Sequence, residues 1–167
     1  MSDFIHLGDY CGIANYSENR DWVVIRHNTM FGFYIVVAKN LSHGEIVNYG
    51  RYFNPCDLKI SNHGSVLFWD NKTPSDKIEP NVIYGFGGDE SWSFRKKSHS
   101  PLFDLTINEA GDLLAIAMAG DFEFIDAYNI MIYKKENDEF GIFQVVPINK
   151  PCRLKFDEKD KLLVSDK

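Results

Sequence analysis

The sequence predicts an all-β fold made of antiparallel four-stranded units that repeat along the chain. Three observations predict it. The segment PCDLKIS at residues 55–61 returns as PCRLKFD at residues 151–157. Apolar and polar residues alternate in both segments, which is the period of a β-strand. Helical periodicity is nearly absent, since the one plausible short helix, LLAIAMAG at 113–120, occupies a place in the repeat that favours a buried strand.

The repeat has a further copy between these two segments, FDLTINEAGDLLAIAMAG at 103–120. Its alignment places Gly64 on Gly111 at an offset of 47 residues, and the last copy follows at an offset of 49, where Asp160 replaces the glycine. A fainter member begins at Cys11 and runs through NYSENRD into WVVIRH. Each copy predicts a β-hairpin, because an alternating strand is followed by a polar turn and a more continuously apolar strand.

The stretches between the hairpins supply two more strands for each unit. They are FGFYIVVAK and EIVNYGRYF, then NVIYGFGG and SWSFRKK, then YNIMIYKK and FGIFQVV. Four antiparallel strands in about 45 residues are the content and period of a propeller blade. The motif D-L-x-I-S/N-x-x-G-x-L-L resembles the inner hairpin of β-propeller blades, and the resemblance covers most of the chain.

The number of units predicts an incomplete ring. Three full units and a terminal hairpin make about three and a half blades, whereas propellers typically have four to eight. We therefore expect residues 1–167 to form one partial β-propeller domain. Its two end faces and open strand edges need a cover. A second copy of the chain, the N-terminal stretch DFIHL closing a small four-bladed ring, or a binding partner would each provide one.

The charge distribution points to the kind of partner. The net charge is −6, and residues 67–126 carry the imbalance with eleven acids against five bases. A concentrated negative field disfavours nucleic acid and anionic membranes and favours a basic protein. The alternative is a solvated acidic surface that keeps the protein soluble. The first residues lack the features of a secretory signal, and three cysteines indicate free thiols, so we expect a cytoplasmic protein.

Two acidic stretches are the candidate partner-binding residues. In YGFGGDESW at 84–92, Asp89 and Glu90 precede Trp92, and an exposed aromatic flanked by acids is a reasonable contact for a basic protein. The alternative is that Trp92 and Phe94 alternate as core residues of a strand. The second stretch, GDFEFIDAYN at 120–129, contributes the acidic residues Asp121, Glu123 and Asp126. Its alternative is an ordinary solvent-facing strand.

No pattern of catalytic or metal-binding residues is present. Cys56 and Cys152 occupy the same repeat position, but the cysteine spacings resemble no compact zinc motif, and small buried residues explain them better. The five histidines show no ligand spacing such as H-E-x-x-H. We therefore expect a protein that is not an enzyme and that has no cofactor and no metal.

Two classes of function remain. In size, acidity and lack of catalytic motifs, the chain resembles the immunity proteins of contact-dependent growth inhibition systems. That resemblance implies a protein that binds a basic toxin domain, typically a nuclease, and covers its active site, with carboxylates contacting the toxin's Lys and Arg side chains. The alternative is a self-associating propeller that acts as a scaffold or as a carbohydrate- or ligand-binding module. Without its partner, the chain would be a monomer or a homodimer.

Overall fold

The computed structural model describes residues 3–71, 81–88, 92–98, 100–119 and 128–167, and these residues form fifteen β-strands and no helix. They therefore include no helix long and apolar enough to cross a bilayer. The all-β prediction is confirmed. The segment LLAIAMAG contributes β11, which is an almost wholly buried strand, so its assignment as a strand was correct.

The strands form four antiparallel sheets, which we call blades 1 to 4. Blade 1 contains β1 (Phe4–Leu7), β2 (Tyr10–Tyr16), β3 (Trp22–Asn28), β4 (Tyr34–Asn40) and β5 (Ile46–Tyr52). Blade 2 contains β6 (Pro55–Ile60), β7 (Val66–Asp70), β8 (Asn81–Phe86) and β9 (Ser93–Ser98). Blade 3 contains β10 (Leu102–Ile107), β11 (Leu113–Met118), β12 (Tyr128–Glu136) and β13 (Glu139–Ile148). Blade 4 contains β14 (Cys152–Phe156) and β15 (Leu162–Asp166) alone.

The four inner hairpins share one turn geometry, which confirms the repeat and its fainter first member. In each turn, a residue with positive φ donates its N–H to the carbonyl three positions earlier. These pairs are Arg20 to Ser17, Gly64 to Ser61, Gly111 to Asn108 and Asp160 to Asp157, at 3.0, 3.1, 3.1 and 3.0 Å. The φ angles of the four donors are 61°, 79°, 79° and 59°. Glycine adopts this left-handed backbone without strain, and Asp160 fills the same position as predicted.

The core lies between successive blades, where one face of each sheet packs on the next. Between blades 1 and 2, Trp22 and Val36 pack with Phe68. Between blades 2 and 3 the cluster includes Ile83, Phe94, Leu105 and Ile116. Between blades 3 and 4 it includes Ala115, Ile130, Leu154 and Phe156. Burial of these apolar faces is the main force that holds the arc together.

The N-terminal hairpin covers the free face of blade 1. Leu7 on β1 is buried in a cluster with Val23, Ile25 and Val37, which point away from blade 2. The hairpin reaches as far as the outermost strand, since the Asn48 side chain donates to the Tyr10 hydroxyl at 3.1 Å. The stretch DFIHL thus pairs with β2 within blade 1 and covers one end of the arc.

Candidate functional site

At the other end of the arc, the described residues of blade 4 form two strands. In the part of the chain that the structure describes, β15 pairs with β14 and with no other strand. The Asp157 N–H donates to the Lys161 carbonyl at 3.0 Å, and bonded pairs recur at every second residue of an antiparallel ladder. Leu163 therefore turns its backbone groups toward β14, whereas Leu162 and Val164 turn theirs toward the free edge.

An apolar groove runs beside this edge. We define the open-blade groove by Phe143, Gln144 and Val146 on β13 and by Leu162 and Val164 on β15. Its volume is about 330 Å³, and buried residues of blade 3 form its floor. The Phe143 side chain is 63% exposed and that of Val164 is 49% exposed. In blades 2 and 3, the third and fourth strands occupy the corresponding position.

Toward the end of β15, the same edge adjoins a second depression of about 490 Å³, lined by Pro147, Cys152 and Val164 among others. The Lys150 ammonium lies 2.7 Å from the Asp166 carboxylate there, and this pair ties the β13–β14 connection to the end of β15. Both side chains are largely exposed, so the pair orients β15 more than it stabilises the fold. The uncovered apolar surface thus extends along most of β15.

A polar network links the inner turns at one end of the blades. The Asn62 amide donates to the Glu109 carboxylate at 3.0 Å, and its oxygen accepts from the Asn19 N–H at 2.9 Å. The Asn108 amide donates to Asp160 at 3.0 Å. These bonds join blade 1 to blade 2, blade 2 to blade 3 and blade 3 to blade 4. Together with the apolar clusters, they link each blade to the next.

Carboxyl groups meet in this network. A hydrogen bond between the Glu18 and Glu109 carboxyl groups raises the pKa of Glu109, and the like charge of Glu18 acts in the same direction. Next to them, strands β2, β6, β10 and β14 line a cleft of about 600 Å³. Among the described residues, no group of three His, Cys, Asp or Glu side chains is arranged to hold a metal ion.

Trp92 is a core residue in the structure. Its side chain is 4% exposed, and its ring lies 4.8 Å from the ring of Phe140. Phe94 is buried in the same cluster. Of the two interpretations of this stretch, the structure supports the core one for Trp92, because packing against blade 3 removes its ring from the surface. Trp92 therefore offers no exposed aromatic to a partner.

The acidic candidates Asp89, Glu90, Asp121, Glu123 and Asp126 lie outside the described residues. The described residues next to them mark different ends of the blades. Gly88 lies against the inner turn of blade 2, at His63 and Gly64. Ala119 lies at the other end, where its N–H donates to the Pro101 carbonyl at 3.0 Å. Gly88 and Ala119 therefore lie at opposite ends of their blades.

The cysteines are free thiols in structural positions. Cys152 is buried between blades 3 and 4, and burial raises the pKa of its thiol. Burial also raises the pKa of Cys56, which is only half-buried. The two differ because β6 has an irregularity between Cys56 and Lys59, with Asp57 at φ 50°, whereas β14 is regular. A raised pKa keeps a thiol protonated and unreactive at neutral pH.

The groove residues were not among the sequence candidates. The signal that points to them is the apolar segment FGIFQVV, which forms part of β13 and lines a groove together with β15. The sequence predicted an uncovered end but did not identify Phe143 and Val164 as its surface.

Comparison with known proteins supports the fold. No protein-family model matches the chain, and no curated protein shows significant sequence similarity to it. Among solved structures, the β-propeller domain of the Trilobed protease from Pyrococcus furiosus, which has an open velcro topology, matches 98% of this chain with a TM-score of 0.61 and 15% identity. Hsv2 from Kluyvelomyces marxianus matches 97% of the chain with a TM-score of 0.46 and 10% identity.

The chain is thus an all-β protein with a β-propeller architecture of about three and a half blades. It spans 49% of the Pyrococcus furiosus domain and 67% of the Hsv2 chain. At 15% identity the first likeness establishes the fold and not an activity. As a class, the protein has a β-propeller fold.

Proposed function

We propose that this protein is a self-associating scaffold in which a second copy of the chain covers the open-blade groove. The observation that supports this most directly is the position of the groove beside a free strand edge. An apolar strip and an edge of unpaired backbone groups form a surface that favours association with another protein. A soluble monomer with such a surface gains free energy when the surface is covered.

Two further features favour a second copy. At the opposite end of the arc the N-terminal hairpin already buries the apolar face of blade 1, so the open-blade groove marks the end of the arc that a second copy would cover. One copy matches 49% of a complete propeller domain, so two copies supply about the length of that domain. The scaffold would then present the grooves and turns of two arcs from a single assembly.

Substitutions on the groove test the proposal. We expect the wild-type chain to form a dimer whose population rises with concentration in sedimentation velocity experiments. Val164→Glu places a charge on the groove and should give a monomer. The matched control is Phe4→Ser, because Phe4 is 64% exposed on β1, away from the groove. A wild-type chain that stays monomeric up to millimolar concentration would refute self-association.

The immunity function is a second hypothesis and stays a prediction, with five of its six assigned residues outside the described part of the chain. It too requires a protein-binding scaffold. The experiment that separates the two is a pull-down with the wild-type chain and with a variant in which Asp121, Glu123 and Asp126 are replaced by Asn, Gln and Asn. Recovery of a basic protein by the first and not by the second would favour the immunity function.

A further inference from the structure

One position of the repeat places a polar side chain at the cleft between the inner strands in every blade. The position lies two residues before the carbonyl that accepts the hydrogen bond of each inner turn. The strands β2, β6, β10 and β14 contribute it, as Asn15, Lys59, Thr106 and Lys155. All four residues line the cleft of about 600 Å³. Its described lining comes from the inner strands and their turns and includes no residue of β15.

All four of these side chains can donate hydrogen bonds. Two of them carry an ammonium group, one an amide and one a hydroxyl. In β6, the neighbours Leu58 and Ile60 pack in the core between blades 1 and 2, so Lys59 occupies the other face of the strand. Donors that come from several strands and line one cleft are suited to an oxyanion such as a carboxylate.

Thr106 provides independent evidence for a ligand in the cleft. The residue is only 7% exposed, and its hydroxyl has no hydrogen-bond partner among the described residues. A nearly buried hydroxyl without a partner is unfavourable, because it has lost its hydrogen bonds to water. Since Thr106 lines the cleft, an acceptor on a bound molecule would satisfy it.

The two lysines are held only loosely by their acidic neighbours. Lys59 Nζ lies 3.9 Å from Asp104 Oδ1, and the Asp104 carboxylate already accepts from two backbone N–H groups at 3.0 and 2.7 Å. Lys155 Nζ lies 3.5 Å from the Glu18 carboxylate, and both of these side chains are more than half exposed. Such pairs are weak, so both ammonium groups are available to an anion in the cleft.

Carboxyl groups of the inner turns provide negative charge beside these donors. Glu18 and Glu109 both line the cleft and are hydrogen-bonded to each other. This hydrogen bond and the like charge of Glu18 raise the pKa of Glu109, because two ionised carboxylates in contact repel each other. A ligand ammonium group beside them would relieve that repulsion without a shared proton. The cleft therefore offers donors to a carboxylate next to acceptors for an ammonium group.

We propose that the cleft binds a free α-amino acid. Lys59, Lys155 and the Thr106 hydroxyl bind its carboxylate, and the two turn carboxyl groups bind its ammonium group. In an α-amino acid, one carbon atom joins the two charged groups, which matches the 3.5 Å approach of Lys155 to Glu18. A simple anion would meet the charge of Glu18 without an ammonium group to compensate it. One copy of the chain is sufficient for binding, so the site is independent of self-association.

NMR titration of the isotope-labelled wild type with each of the common amino acids, at millimolar concentration, tests the proposal. At least one should shift the signals of the Thr106 methyl group and the Asn15 side-chain amide. The N-acetyl derivative of that amino acid lacks the ammonium charge, and its amide derivative lacks the carboxylate. Each derivative should bind about tenfold more weakly or worse. The proposal is wrong if no amino acid shifts these signals, or if either derivative binds as tightly as the amino acid.

Substitutions on the strands locate the site. Thr106→Val should weaken binding about tenfold without lowering the thermal midpoint, because it removes a hydroxyl that has no partner among the described residues. Lys59→Gln should weaken binding by a similar factor. Lys97→Gln, at an exposed position of β9, is the matched control and should bind like the wild type. A lower thermal midpoint for Thr106→Val would assign its hydroxyl to the fold, and unchanged affinity in both cleft variants would place the ligand elsewhere. Either result overturns the site.

Discussion

The Lys155 ammonium lies 3.5 Å from the Glu18 carboxylate, and this contact spans the opening between blade 4 and the inner turn of blade 1. It is the point where the two ends of the arc approach each other, beside a depression lined by Glu18, Lys155 and Leu163. The side chains are 67% and 54% exposed, so water screens their attraction. The pair therefore links blades 1 and 4 only weakly.

The Lys155–Glu18 pair should contribute little to stability. A double-mutant cycle with Lys155→Ala and Glu18→Gln should give a coupling energy of about 0.2–1 kcal/mol in urea unfolding at low salt. The coupling should fall further as salt is added, because exposed charges are screened. Lys159→Ala, on the neighbouring turn, is the control for a general loss of positive charge. A coupling above about 2 kcal/mol would mean that this contact closes the arc, contrary to its exposure.

The carboxyl pair of Glu18 and Glu109 should make stability depend on pH. The pKa of Glu109 is raised in the folded protein, so the folded state holds a proton that the unfolded chain releases more readily. The stabilising contribution is complete below the ordinary glutamate pKa of 4.5 and is lost as pH rises through the folded pKa. Glu109→Gln keeps a hydrogen-bonding group without the charge and should remove this loss.

Urea unfolding of the wild type and Glu109→Gln at a series of pH values from about 4 to 7 measures the effect. The difference in unfolding free energy between the two should grow in favour of Glu109→Gln as pH rises. Glu45→Gln, on the exposed β4–β5 turn, controls for the removal of one negative charge. Parallel curves for wild type and Glu109→Gln would contradict the assignment.

The inner turn of blade 2 should not tolerate a side chain at Gly64. A Cβ there would lie 2.6 Å from Trp22 Cε2, and the backbone has φ +79°. The left-handed conformation costs an L-residue about 1–2 kcal/mol, and displacing the buried Trp22 ring adds about 1–3 kcal/mol. Gly44→Ala is the matched control, since Gly44 has φ +75° and a Cβ added there would meet no atom within 4 Å. Chemical denaturation should show Gly64→Ala to be clearly less stable than Gly44→Ala, and equal losses would mean that Trp22 moves freely.

Trp92 should behave as a core residue. Trp92→Ala removes a buried ring that packs on Phe140 and should destabilise the protein by about 3–5 kcal/mol. Phe4→Ala, at an exposed aromatic, should change the free energy of unfolding by no more than about 0.5 kcal/mol. Urea unfolding followed by circular dichroism measures both. A loss below about 1 kcal/mol for Trp92→Ala would indicate that the Trp92 ring is exposed and available for contact with a partner.

The repeat was predictable because its physical basis is local. Gly64 and Gly111 could be aligned from the sequence since both occupy a turn position that needs positive φ, and the structure gives both φ 79°. Asp160 takes the same position, as short polar residues can. Alternation then assigned strands such as β11 to the buried face. These features depend on a few neighbouring residues, so one sequence contained enough information to identify them.

The candidate site was not predictable in the same way. Val164 and Phe143 are 21 residues apart and become neighbours only when blade 4 packs on blade 3. Their exposure depends on which strands pack beside β13 and β15, and no local pattern shows this. Trp92 is a second example. The acids beside it in the sequence suggested that it lies on the surface, but packing between blades buries it. Long-range packing therefore limits how far sequence patterns can locate a site of this kind.

The hairpin of β1 and β2 makes the two ends of the arc different from each other. In solenoid arrays, terminal caps cover the end of the apolar stack, and residues 3–13 cover Val23, Ile25 and Val37 in the same way at one end of this arc. A chain shortened past Leu7 would expose Val23, Ile25 and Val37, and would then have an exposed apolar surface at both ends of the arc. Under the proposed self-association, such a chain would be expected to form linear polymers rather than an assembly of fixed size.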